Sequence, residues 1–205
     1  PLKFFALILR VNYFTKKFYE LKMIFLLKIV KEMWSTLEIL KEAVKNGNVS
    51  LIKLCLKSGN FTDENLENAL ILSAMYGKEN SVDALLSFGV DVNSERTGDS
   101  AIHQACLMRH LNVLEVLLKY KANVNKINSD GRTGLMYASK EGYTEIVRRL
   151  LNAGADYSIK DDDGLTAGML AFLFEKEDIV NLYRQVGVEK FEYEDSETES
   201  DSDEE

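Results

Sequence analysis

Between residues 131 and 163 the apolar positions fall at helical spacing in two short runs, with glycine between and after them. The stretch reads GRTGLMYASKEGYTEIVRRLLNAGADYSIKDDD. Thr133 stands where a helix N-cap is wanted, and Gly142 and Gly154 stand where two helices end in left-handed turns. Ile146, Val147, Leu150 and Leu151 form one apolar stripe on the second helix. Ala138 and Ser139 keep the first helix thin, so that another helix can approach closely. A unit this small cannot bury its stripe alone and needs copies on either side.

The copies are present at a period of 33 residues. Upstream, Gly98, Ala105, Leu117, Leu118, Ala122 and Asp130 repeat Gly131, Ala138, Leu150, Leu151, Ala155 and Asp163. Ser100, Ile102, Val113 and Leu114 repeat in kind. Downstream, Thr166, Ala171, Asp178, Ile179, Val180 and Gly187 take up the same places. A fixed period of this length predicts a solenoid. The residues Ser100-Ala101-Ile102-His103-Gln104-Ala105, Leu117-Leu118, Ala122-Asn123-Val124-Asn125, Leu150-Leu151 and Asn152-Ala153-Gly154-Ala155-Asp156 give the chain a resemblance to ankyrin-repeat proteins. The resemblance implies an all-α solenoid of about five helix-turn-helix repeats with β-turn fingers.

The other repeats follow by pattern. Ser35 or Thr36 opens the first, whose helices carry Leu37 to Val44 and Val49 to Leu56 and end at Gly47 and Gly59. A loop over 60–67 is read as a stunted finger, and the second repeat is placed from Asn68, with helices Ala69–Tyr76 and Ser81–Phe88. In the third repeat Arg109 and Lys121 stand where the others have Gly. Both positions call for positive φ, which predicts a locally weaker repeat unless the turns are rebuilt. The fifth repeat, from Gly164, is degenerate, with Glu175 at the turn and Arg184 at the place of Leu151. A polar outer face suits a terminal cap.

The net charge of −8 is uneven: residues 1–34 carry +5 and residues 189–205 carry −9, leaving −4 for the body. An acidic body and tail argue against nucleic-acid binding, which rests on neutralising phosphates. The expected organisation is a basic apolar extension over 1–34, a repeat domain over 35–190 and an acidic, disordered tail over 191–205. Residues 1–34 are too interrupted by Arg10, Lys16, Lys17, Lys22 and Lys28 for a membrane span. They are read as a capping helix, or as non-native sequence ahead of a start at Met23 or Met33. In the tail, Ser196, Thr198, Ser200 and Ser202 each have an acidic residue three positions on, which makes them phosphorylation candidates. Cys55 and Cys106 are read as buried, reduced thiols.

Catalytic and metal chemistry find little support. His103, Cys106 and His110 are the metal-type cluster; His103 and Cys106 are i, i+3 on one helix, but no third or fourth ligand joins that pair at a recognisable spacing. By the resemblance, His103 is a hydrogen-bonding residue beside Ser100. Asp161-Asp162-Asp163-Gly164 lacks the alternating acids of a calcium loop. No nucleophile elbow or phosphate-cradling loop occurs. The chain is therefore read as no enzyme, with no cofactor and no metal.

The resemblance implies a partner protein, bound on the concave face made by the fingers and the first helices. The candidate contacts are Met75, Tyr76, Leu107, Met108 and Lys140 at the first-helix ends, and Arg96, Thr97, Ile127, Asn128 and Lys160 at the fingers. Leu107, like Leu173 and Phe174, equally suits packing between neighbouring first helices. The expected function is non-catalytic recognition as an adaptor, scaffold or inhibitor. The chain is expected to be a monomer in the cytoplasm or nucleus. Two alternatives are a nuclear or chromatin-associated regulator whose tail engages basic proteins, and a substrate-recruiting subunit of a larger enzyme complex.

Overall fold

A computed structural model describes residues 35–93, 98–188 and 191. The described residues form ten helices in five pairs: α1 (Thr36–Asn46) and α2 (Val49–Ser58), α3 (Asp63–Met75) and α4 (Glu79–Phe88), α5 (Ala101–Leu107) and α6 (Leu111–Lys119), α7 (Gly134–Glu141) and α8 (Thr144–Asn152), α9 (Ala167–Leu173) and α10 (Glu177–Gln185). The first helices α1, α3, α5, α7 and α9 pack one on the next, and so do the second helices. The result is two helical layers sharing one core.

Small side chains set the spacing of the first-helix layer. Ala43, Ser73, Ala105, Ala138 and Ala171 sit four residues before the turn in successive repeats and are all buried. The next column holds Val44, Ala74, Cys106 and Ser139, also buried, and then Phe172, which is exposed. Helix ends are equally regular. The residue after each turn donates its N–H to the carbonyl of the small residue five positions back, as in Lys78 to Ser73 (2.9 Å), His110 to Ala105 (2.8 Å) and Tyr143 to Ala138 (2.9 Å). This closure requires a left-handed residue in between. Arg109 (φ 60°), Lys121 (φ 62°) and Glu175 (φ 56°) adopt that conformation without being glycine. The third-repeat turns are thus kept, not rebuilt.

The second repeat begins earlier than its pattern predicts. The expected finger over 60–67 is mostly helix, because Thr62 is an N-cap. Its hydroxyl accepts from the Asn65 N–H (3.2 Å) and the Asn65 side chain accepts from the Thr62 N–H (3.4 Å). This reciprocal box starts α3 at Asp63, six residues before the expected Ala69. Gly59 is extended (φ −101°) and lies under the Phe61 ring.

Loops and second helices are tied laterally. Asn93 accepts from the Asn123 N–H (2.7 Å) and donates to the Lys121 carbonyl (3.0 Å). Asn125 accepts from the Asp156 N–H (2.8 Å). Arg149 on α8 forms a two-pronged ion pair with Glu115 on α6, and Lys119 pairs with Asp83 (3.2 Å). Cys55 and Cys106 are buried and free, and burial pushes their thiols up to about 11 and about 12.

Phe191 is buried against the last repeat. It lies over Gly168, stacks on Phe172 (ring centres 6.2 Å apart) and carries the Arg184 guanidinium at 5.7 Å. The packed body therefore includes Phe191. Among the described residues, no helix is long and apolar enough to cross a membrane.

Candidate protein-binding surface

The C-terminal ends of the first helices line up repeat by repeat. The last two positions before the turn are Lys45 and Asn46, Met75 and Tyr76, Leu107 and Met108, Lys140 and Glu141, then Leu173 and Phe174. Tyr76 is 45% exposed, Met108 43%, Leu173 53% and Phe174 46%. Met75 and Leu107 are half-buried beside them. Leu173 and Phe174 do not pack between first helices as their apolar character suggests. The described residues place no first helix beyond α9 to cover them.

The residue after each turn rests on the turn before it. His110 lies against Gly77, and its Nε2 bonds the Met75 carbonyl oxygen (3.1 Å). Tyr143 lies under Arg109, whose guanidinium is 5.5 Å from the ring centre. Lys140 reaches forward to Phe174, with Nζ 4.8 Å from the ring centre. Arg109 and Lys140 are therefore held by aromatic faces, a contact that fixes a cation without neutralising it.

The finger candidates sit at the other end of the same helices. Ile127 is half-exposed and Lys160 is exposed at a bridge to Thr166. An eight-residue helix such as α7 is about 12 Å long, so one ligand touching both candidate sets must span the whole first helix. Arg96, Thr97, Ser196, Thr198, Ser200 and Ser202 lie outside the described residues.

Asn128 is not available to a partner. It is only 9% exposed, and its side chain is engaged inside the finger. Its Oδ1 accepts from the N–H groups of Asp130 (3.0 Å) and Arg132 (2.9 Å), while Nδ2 donates to Asp99 (2.8 Å) and Tyr137 (3.0 Å). Asp161 does the same work one finger on. It accepts from the N–H groups of Asp163 (3.1 Å) and Leu165 (2.8 Å) and pairs with Arg132 (3.2 Å). Both residues are internal braces that hold a turn open, so the short polar side chain is required by the loop itself.

His103 is likewise structural. Its Nδ1 accepts from the Ser100 N–H (3.0 Å), and its Nε2 donates to the Lys126 carbonyl (2.8 Å). Among the described residues no group of three or more His, Cys, Asp and Glu side chains is arranged to hold a metal ion.

Two family models cover this architecture: ankyrin repeats in three copies over residues 40–128, and ankyrin repeats in many copies over residues 121–168. The chain belongs to the ankyrin-repeat family. It is 34% identical over 130 residues to the ankyrin repeat and KH domain-containing protein mask-1 of Caenorhabditis elegans, a match covering 62% of this chain and 5% of that protein. It is 30% identical over 113 residues to the putative ankyrin repeat protein YahD of Escherichia coli K12, covering 53% of this chain and 56% of YahD. It is 37% identical over 68 residues to mouse protein phosphatase 1 regulatory subunit 27, covering 33% of this chain and 44% of that subunit. Each match covers less than two thirds of the relative's own length. Ankyrin repeats generally mediate protein–protein interaction and are typically non-enzymatic.

Proposed function

We propose that this chain is a non-catalytic adaptor, scaffold or inhibitor that binds a partner protein along the C-terminal ends of its first helices, on the concave face. The observation that carries this reading is the row of exposed Tyr76, Met108, Leu173 and Phe174 at equivalent positions of three repeats. Apolar and aromatic side chains held in register on rigid helices suit a protein interface, where aromatic residues and Met are enriched. Two buried free thiols fit a reducing compartment, the cytoplasm or nucleus.

A second reading, a recruiting subunit of an enzyme complex, is favoured by the likeness to a phosphatase regulatory subunit. Both readings use the same surface and differ in what is captured.

The test is an affinity pull-down with the whole chain as bait, read by mass spectrometry, against the Tyr76→Asp, Met108→Asp double variant. Both side chains are exposed, so the variant keeps its helical signal and melting temperature. The expected result is loss of the captured partner. A partner held equally well by the folded variant rules this surface out.

A further inference from the structure

Arg109 and Lys140 are ring-held cations at the first-helix ends; another, Arg184 on α10, lies over Phe191. Lys119, Arg132 and Arg149 are each in ion pairs, whereas neither Arg109 nor Lys140 is in an ion pair among the described residues. Each is instead held by a ring, Arg109 by Tyr143 and Lys140 by Phe174. The ring restricts the side chain and leaves the charge intact. A cation already positioned and still charged is prepared for an anion, because less side-chain freedom remains to be lost on binding. Met108, Leu173 and Phe174 lie exposed around the two charges. The surface fits an acidic segment that also carries apolar side chains.

The sequence that follows Phe191 is such a segment. Phe191 is anchored on Phe172, two positions from Phe174. Residues 192–205 carry nine Asp or Glu, no Lys or Arg, and Tyr193. Fourteen residues can extend to roughly 45–50 Å. Lys140 lies one first helix back from α9 and Arg109 two, at about 8–10 Å per helix, so both are well within reach.

We propose that residues 192–205 bind in cis across the Arg109–Lys140 surface and compete there with the outside partner. The competition rests on the function proposed above; the cis contact does not. Glu141 and Glu175 occupy neighbouring turn positions, so the attraction is local to Arg109 and Lys140 themselves. It is weak for a free peptide and effective for a tethered one, whose local concentration is on the order of millimolar.

The probe is a fluorescein-labelled synthetic peptide of residues 192–205. It is titrated at low ionic strength against the native full-length chain and against a full-length chain with its nine tail acids changed to Asn or Gln. The expected result is binding to the neutral-tail chain about tenfold tighter than to the native chain, because the native tail already occupies the surface. Arg109→Gln with Lys140→Gln in the neutral-tail chain is expected to abolish binding, and added salt to weaken it. Equal affinity for the two chains, no binding, or binding untouched by the double substitution overturns the proposal. If the double variant loses its helical signal, carbodiimide coupling of the native chain decides instead. Lys140 joined to residues 192–205 supports the contact, and tail carboxylates joined only to other lysines refute it. No partner is needed in these measurements, so their failure is distinct from failure of the pull-down.

Discussion

The guanidinium of Arg109 lies 5.5 Å from the centre of the Tyr143 ring, at a turn where Arg109 itself holds φ at 60°. The strained residue and the aromatic that supports it come from adjacent repeats. Lys121, at φ 62° in the same repeat, has no such ring beneath it among the described residues. Lys121→Gly is therefore expected to raise stability by about 1 kcal/mol, the usual cost of a left-handed non-glycine residue. Arg109→Gly gains the same relief but forfeits a cation–π contact of about 0.5–1 kcal/mol, leaving little net change. Urea midpoints of the two variants check this. Equal gains at both sites would show that the ring contributes nothing.

His103 is expected to make the fold acid-sensitive. Desolvation lowers its pKa below the usual 6.5, outweighing the Lys126 carbonyl bond and the Asp99 charge. The geometry gives a reason: Nδ1 accepts from the Ser100 N–H, so a second ring proton has no place to sit. The unfolded chain then binds the proton more readily than the folded one. Stability is full above pH 6.5, falls as pH drops below it, and levels off once the folded-state ring is charged. Comparing urea midpoints at several pH values for the native chain and His103→Gln should show a flatter slope in the variant over that window.

Ser139 on α7 and Tyr183 on α10 share a buried hydroxyl–hydroxyl bond of 2.7 Å between the two layers. Ser139→Ala leaves the Tyr183 hydroxyl buried without a partner, at a cost of about 1–3 kcal/mol. Adding Tyr183→Phe removes that orphan, and the double variant is expected to recover most of the loss. Additive losses in denaturant titrations would sink the idea.

Arg149 is expected to act through Glu115 and only above the carboxylate range. Its hydrogen bonds hold the Glu115 carboxyl below the usual 4.5. A depressed carboxylate contributes stability above the unfolded value and loses it as pH falls through the folded one. The midpoint difference between the native chain and Arg149→Ala should shrink below pH 4.5. It should also shrink in high salt, since both side chains are half-exposed.

The repeat period was legible because it is written in turn chemistry. Glycine or its substitutes close the helices, and a small residue sits four positions earlier. The early start of α3 is not written in the period, because the Thr62–Asn65 cap is local and obeys none. The burial of Asn128 is likewise invisible in the period. A finger position reads as exposed, whereas its amide donates to Asp99 and Tyr137, 29 and 9 residues away, from inside the loop. Phe172, Leu173 and Phe174 look like core by composition. Their exposure depends on what stands beside α9, which composition does not carry. The pairing of Arg109 with Tyr143 crosses a repeat boundary at 34 residues' separation, and nothing in either residue alone announces it.

The asparagine stitches between loops give the array a direction. Asn93 reaches forward to the third repeat and Asn125 to the fourth. At the next equivalent place stands Ser158, shorter than asparagine and bonded to its own Asp156. The stitched run thus stops at the fourth loop. Under mechanical load the two end pairs, which no asparagine stitch joins to their neighbours among the described residues, are expected to peel away before the stitched middle.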